Sequence, residues 1–245
     1  MVSYITFCNP KDIRRLHEPN VLNQHIISHE FNFSEVIVVH QRCKGIQYEP
    51  FNIPVRIVES ENYPDILTRF GLPEKDEVAD EFTHGPTAPH YWKWHVINHL
   101  IGFIEAKSDY IVFSDADCAI VSSPEHPSWI DAGITILENH PEVLIVSPGD
   151  GASMFERMLP DVKVNSLVLQ DIRLTQNVSQ QLFLCRRSLG EIDFNISWNW
   201  ENLAPGGPFQ EYYYMLEGRI WRYMDKHNLW RAILPDTWRY WHYQW

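Results

Sequence analysis

Ser108-Asp-Tyr-Ile-Val-Phe-Ser-Asp115-Ala-Asp117-Cys-Ala-Ile-Val121 is the stretch on which the reading of this fold turns. A compact apolar run, Tyr110 to Phe113, leads straight into two aspartates separated by one alanine. A short continuous apolar run bounded by polar residues reads as a strand buried on both faces. In extended backbone, residues i and i+2 point to the same side, so Asp115 and Asp117 converge at the carboxyl end of that strand. Two adjacent like charges cost free energy unless a cation or hydrogen bonds compensate. Hard carboxylate oxygens suit Mg²⁺ or Mn²⁺, with phosphate oxygens of a ligand completing the shell. The plainer alternative is a strand end capped by turn-forming aspartates.

Outward from this stretch, strand-like and helix-like segments alternate. Tyr4 to Cys8, Glu35-Val-Ile-Val-Val-His40, Val55-Arg-Ile-Val58 and Val143-Leu-Ile-Val146 are short apolar or β-branched runs. Between them, Leu22, Ile26 and Ile27 have helical spacing, His90 to Ala106 carries apolar residues at Ile97, Leu100, Ile101 and Ile104, and Ile130–Glu138 is helix-like. Strands that are apolar throughout and separated by helices predict a parallel sheet covered on both faces. Residues 71–89 form a polar, acidic, Pro-rich connection. After about residue 150 the texture changes, and seven of the ten Trp fall there. Pro205-Gly-Gly-Pro208 marks a loop, and Phe209 to Asn228 is predicted to be a helix ending on Lys226 and His227, cations suited to a helix C-terminus.

The chain is 245 residues long, enough for one large domain or two small ones sharing a core, and 44% hydrophobic with 21% charged residues, an ordinary soluble composition. Net charge is −12. Residues 1–150 carry all of it, with 10 Lys+Arg against 22 Asp+Glu, and residues 151–245 carry 10 of each. No basic footprint for nucleic acid is visible. An acidic half still binds a phosphate-bearing ligand if a divalent cation bridges them. Mean hydropathy is −0.30 and no run of 18 apolar residues exists, so no transmembrane segment is expected, although peripheral membrane contact stays open. Cys8, Cys43, Cys118 and Cys185 form no CxxC pair and read as reduced, buried thiols. With no basic flank before the first apolar run, the expected compartment is cytoplasmic.

At Asp115-Ala-Asp117 the chain resembles the glycosyltransferases of the GT-A fold, which carry an Asp-x-Asp motif at the end of a central strand preceded by a helix. Here His90-Tyr-Trp-Lys-Trp-His-Val-Ile-Asn-His99 opens such a helix. The resemblance covers the order of elements from Tyr4 to about Tyr243. It implies a Rossmann-like α/β domain with a mixed, mainly parallel sheet and helices on both faces. Residues 1–150 would form a nucleotide-sugar-binding half and residues 151–245 an acceptor-binding half. It further implies a nucleotide-diphosphate sugar donor, a divalent metal (Mn²⁺ or Mg²⁺) on its diphosphate, and a carbohydrate or lipid-linked acceptor, as in polysaccharide biosynthesis. Carried over residue by residue, Asp117 would bind the metal directly, and Asp115 would contact the donor ribose or the metal through water. His242, in Trp241-His242-Tyr243, fits the family's third ligand by position. Phe209-Gln210-Glu211 lies where inverting members place a carboxylate base, which makes Glu211 the candidate catalytic base. Where many members have a base-contacting Asp after the second strand, this chain has Val38-Val39-His40-Gln41-Arg42, and Asp12 is the candidate substitute.

Other residues carry weaker readings. Lys93 is within reach of a donor phosphate or is a solvated helix residue. Trp198, Trp200, Trp221 and Trp241 offer flat faces to an acceptor sugar or pack in the core. Gln180 and Gln181, before Leu182-Phe-Leu-Cys185, are placed by the resemblance at the acceptor face. His95 and His99 stand at i and i+4, but Val96 replaces the Glu of a zinc-protease helix. Two rival functions stay in view. Nucleotidyl transfer also uses paired carboxylates and metal, but usually needs a Gly-rich basic loop after the first strand, which Cys8-Asn-Pro-Lys-Asp12 is not. A lectin-like carbohydrate-binding protein would account for the Trp-rich half without needing Asp115 and Asp117.

Overall fold

The computed structural model describes residues 1–8, 21–40, 55–72, 91–116, 118–122, 128–149, 166–169, 172–178, 181–196, 216–235 and 237–242, with backbone alone for 91–95, 122, 166–169 and 241–242. The strands are β1 (Val2–Cys8), β2 (Glu35–His40), β3 (Val55–Glu59), β4 (Tyr110–Ser114), β5 (Cys118–Ser122), β6 (Val143–Ser147), β7 (Ser166–Leu169), β8 (Ile172–Thr175), β9 (Leu182–Arg186), β10 (Trp230–Ile233) and β11 (Trp238–His242). The α-helices are α1 (Val21–Ser28), α2 (Ile66–Arg69), α3 (Tyr91–Glu105), α4 (Trp129–Asn139) and α5 (Leu216–His227).

Among the described residues, nine strands form one sheet in the order β3-β2-β1-β4-β9-β6-β10-β8-β7, and β11 pairs with β5 in a separate ribbon. The pairs β3–β2, β2–β1, β1–β4 and β6–β10 are parallel, whereas β9 is antiparallel to both β4 and β6, and β8 to both β10 and β7. Seven of the nine strands therefore run one way, and only β9 and β8 oppose them. The expected mixed, mainly parallel sheet is what forms. Strands from beyond residue 150 are woven into it, because β9 sits between β4 and β6.

Side-chain alternation sends each strand's residues to two cores. On one face, Ile5 and Phe7 of β1, Ile37 and Val39 of β2, Ile111 and Phe113 of β4, and Phe183 and Cys185 of β9 pack against α3 and α5. On the other, Tyr4 and Cys8, Val36 and Val38, Val112, and Leu182 and Leu184 pack against α1 and α4. This is why the strands read as continuous apolar runs. Helix α3 approaches the sheet closely at Gly102, where a Cβ would lie 2.6 Å from Phe113 Cε1 and 3.0 Å from Ile5 Cδ1. The α1 reading needs one correction: Leu22 and Ile26 are buried, but Ile27 is 70% exposed and contributes nothing to the core.

Polar groups anchor both layers. Ser128 caps α4 by accepting from Ile130 N–H, and its hydroxyl donates to the His29 carbonyl at 2.9 Å. Trp129 Nε1 donates to His29 Nδ1 at 3.0 Å. Burial pulls the His29 imidazole down to about 3, assisted by nearby His25, so the ring is neutral and Nδ1 serves as acceptor. At the amino ends of the strands, Glu35 accepts from Ser3 Oγ at 2.7 Å and from Lys107 N–H at 2.8 Å. Arg56 bridges Glu35 and the Glu105 carboxylate, and Tyr63 donates to Glu105. Burial alone would raise the Glu105 carboxyl; the hydrogen bonds from Tyr63 and Arg56 outweigh it and hold it below the usual range. Cys8, Cys118 and Cys185 are buried and in no disulfide, as expected, and Cys43 lies outside the described residues. Among the described residues, no helix is long and apolar enough to cross a membrane.

Candidate active site

The strand order reverses at β1, with β2 and β3 on one side and β4 on the other. At such a point an open α/β sheet leaves a crevice outside the carboxyl ends of its strands. Strand β4 ends here, with Ser114 in register with Thr6 of β1, and Asp115 is the next residue. Asp115 is half-buried. Its N–H donates to the Gln181 carbonyl at 2.7 Å, and its own carbonyl accepts from Cys118 N–H at 3.1 Å and from Ser114 Oγ at 3.1 Å. The residue that extends the apolar strand is thus held by the turn that leads into β5 and by the residue that opens β9.

Strand β5 leaves the large sheet to pair with β11. The antiparallel register sets Tyr240 opposite Ile120, Trp241 opposite Ala119 and His242 opposite Cys118. The ribbon is tied down at two further places. Gly149 N–H, just past β6, donates to the Trp238 carbonyl at 2.6 Å, and the Tyr240 hydroxyl donates to Gln181 Oε1 at 3.2 Å. Beneath the turn, burial pushes the Tyr4 phenol well above its ordinary value; Ser114 opposes the shift, and Cys118 and Asp115 add to it. Tyr4 therefore stays protonated and neutral.

The fold brings together Asp115, Gln181 and, at backbone level, Trp241 and His242. Helix α3 ends at Glu105 beside Arg56 at the amino ends of the strands. Its first turn, which includes Lys93, therefore lies toward the carboxyl edge. Asp117, Asp12, Glu211, Gln180, Trp198 and Trp200 lie outside the described residues. Trp221 is only 2% exposed inside the core against α3, so it offers no face to an acceptor. His99 is likewise a core residue, with ring centroids 4.4 Å from Phe7 and 5.0 Å from Phe113. At the end of β2, His40 is buried, in register with Cys8 and Glu59, and its Nδ1 lies 3.6 Å from Glu59 Oε1. No three His, Cys, Asp or Glu side chains group into a metal site among the described residues. Sequence reasoning missed Tyr240, because nothing local marks a tyrosine whose partner comes from another strand.

No protein-family model matches the chain, and no curated protein matches it by sequence. Solved structures share its fold. Mouse xyloside xylosyltransferase 1, in its apo form, superposes with a TM-score of 0.50 at 11% identity, over 96% of this chain and 85% of that one. A UDP-glucose pyrophosphorylase complexed with UDP-glucose gives 0.53 at 10% identity, over 99% of this chain and 93% of that one. An apo UDP-glucose pyrophosphorylase gives 0.52 at 9% identity with the same coverage. At these identities the likeness is one of fold, and it bears out the GT-A-like α/β architecture.

Proposed function

We propose that this chain is a metal-dependent glycosyltransferase that moves a sugar from a nucleotide-sugar to a carbohydrate or lipid-linked acceptor. The observation that carries the reading is the position of Asp115. It stands at the carboxyl end of β4, at the strand-order reversal, in a turn that β11 reaches from the far end of the chain. Carboxylate oxygens suit Mn²⁺ or Mg²⁺, and an imidazole nitrogen beside them favours the softer Mn²⁺ of the two. In this reading Asp117 and His242 hold the cation, and Asp115 contacts its water shell or the donor ribose. When bound, the cation supplies Lewis-acid stabilisation of the charge that builds on the leaving diphosphate.

The chain's own groups do the rest. Glu211 takes the proton of the acceptor hydroxyl as its oxygen bonds to the anomeric carbon, while the bond from that carbon to the diphosphate oxygen breaks. A positioned base of this kind contributes roughly 10²–10⁴-fold. Attack opposite the leaving group inverts the anomeric centre. Lys93 and Asp12 are assigned to the donor, and Trp198, Trp200 and Trp241 to the acceptor.

A second reading, nucleotidyl transfer, has one observation in its favour: the fold likeness to a pyrophosphorylase is as good as that to a glycosyltransferase. The loop opened by Cys8-Asn-Pro-Lys-Asp12 argues against it, since it is neither glycine-rich nor strongly basic. Calorimetry with a panel of nucleoside diphosphates, with Mn²⁺ and then with excess chelator, tests the proposal. Metal-dependent binding of one nucleotide, lost in Asp117→Ala, is the expected result. No binding of any nucleotide under either condition would overturn it. Release of pyrophosphate from a nucleoside triphosphate and a sugar 1-phosphate would favour the second reading.

A further inference from the structure

Gln181 is the residue at which two parts of the site meet. It directly precedes β9, the antiparallel strand wedged between β4 and β6. Its backbone carbonyl accepts from Asp115 N–H at 2.7 Å, and its side-chain Oε1 accepts from the Tyr240 hydroxyl at 3.2 Å. Any residue can offer a carbonyl. Only a side chain with an acceptor of this length also reaches Tyr240. Tyr240 is half of an in-register pair with Ile120, two residues before His242 on the same strand, and the residue is 8% exposed. A hydrogen bond this sheltered is stronger than one in water and expensive to leave unmade.

We propose that Gln181 is a positioning residue that couples strand β11 to the Asp115 turn, through its carbonyl on one side and its amide oxygen on the other. The proposal rests on the reading of the site as a metal–nucleotide site and assigns Gln181 a role other than contact with the acceptor. Without the Tyr240–Gln181 bond, β11 keeps its pairing to β5 but loses its tie to the β4–β9 edge. His242 stays opposite Cys118, and the ribbon as a whole shifts relative to Gln181 and the start of β9. The consequence falls on ligand binding more than on folding, because the ribbon lies at the edge of the carboxyl end and outside the nine-stranded sheet.

The test uses three variants of the full chain: Tyr240→Phe, Gln181→Met and the double variant. Mn²⁺ affinity is read from the electron paramagnetic resonance signal of free Mn²⁺, with and without UDP, GDP, CDP and ADP in turn, and thermal midpoints are measured alongside. Each single variant is expected to weaken Mn²⁺ binding in the presence of the responding nucleotide by about five-fold, the effect of one sheltered hydrogen bond. The double variant should lose no more than the worse single, since both remove one bond. Losses that multiply, or single variants that bind as the wild type does, would overturn the coupling. A loss that tracks a falling thermal midpoint in both single variants would do the same, by showing a purely structural bond. Wild-type protein that binds Mn²⁺ with none of the nucleotides would overturn the metal–nucleotide reading itself, and the coupling with it.

Discussion

His242 stands directly opposite Cys118 in the antiparallel pair of β11 and β5. Cys118 follows Asp117 in the chain, so β11 brings His242, at backbone level, to the neighbourhood of the Asp-x-Asp segment. Nothing near His242 in sequence requires this; the pairing is made by the ribbon. Under the proposed function, His242→Ala should weaken Mn²⁺ binding by about tenfold or more, at least the loss typical of removing a group that merely supports a metal ligand. Calorimetric titration of Mn²⁺ with the responding nucleotide checks it. Unchanged affinity would remove His242 from the ligand set while leaving Asp117 to be tested separately.

Burial of His29 makes stability depend on pH. The folded imidazole titrates at about 3, against an ordinary value near 6.5. Its contribution is therefore complete above about 6.5 and is lost as pH falls toward the folded value, because the unfolded chain takes up the proton first. By pH 4.5 this group alone should remove about 2–3 kcal/mol. His29→Gln keeps an acceptor for Trp129 Nε1 but cannot titrate. Urea unfolding at pH 7 and pH 4.5 should show a smaller loss in the variant than in the wild type, and equal losses would mean that other groups dominate.

Two helical glycines face the sheet, and they should respond differently to alanine. At Gly102 the new Cβ meets the Phe113 ring at 2.6 Å and Ile5 at 3.0 Å. At Gly133 of α4 the close atom, at 2.6 Å, is the tip of Leu184, which can turn aside. Overpacking typically costs about 1–3 kcal/mol, and alanine regains about 1 kcal/mol of helix propensity. Gly133→Ala should come out close to neutral, whereas Gly102→Ala should lose about 1–2 kcal/mol. Thermal midpoints of the two variants decide it, and equal shifts would show that the Phe113 contact relaxes.

Arg56 joins Glu35 on β2 to Glu105 at the end of α3. Arg56→Met keeps much of the apolar stem but leaves two carboxylates facing each other. The pair is about a third exposed on the arginine side, so solvent screens part of the effect. The expected loss is about 1 kcal/mol, shrinking at high salt. Urea unfolding at low and high salt measures both numbers, and a loss independent of salt would point to packing instead of charge.

Much of the fold was legible in the sequence because it is written locally. The runs Tyr4–Cys8, Glu35–His40 and Tyr110–Phe113 are apolar on both faces, as strands covered on both sides must be. Helix α3 and the Asp115 strand end follow from the same pattern. Trp221 and Ile27 show its limit, since spacing marks a residue as apolar without saying whether it faces core or solvent.

The sequence by itself determined the α/β class, the covered parallel strands and Asp115 at the end of β4. Only the tertiary structure decided that β9 enters antiparallel between β4 and β6, that β11 folds back onto β5, and that Gln181 and Tyr240 meet beside Asp115. The physical reason is range. Burial and alternation act between neighbours in the chain, whereas strand partner, direction and register are chosen by contacts between distant segments, and an apolar strand reads the same whichever partner it takes.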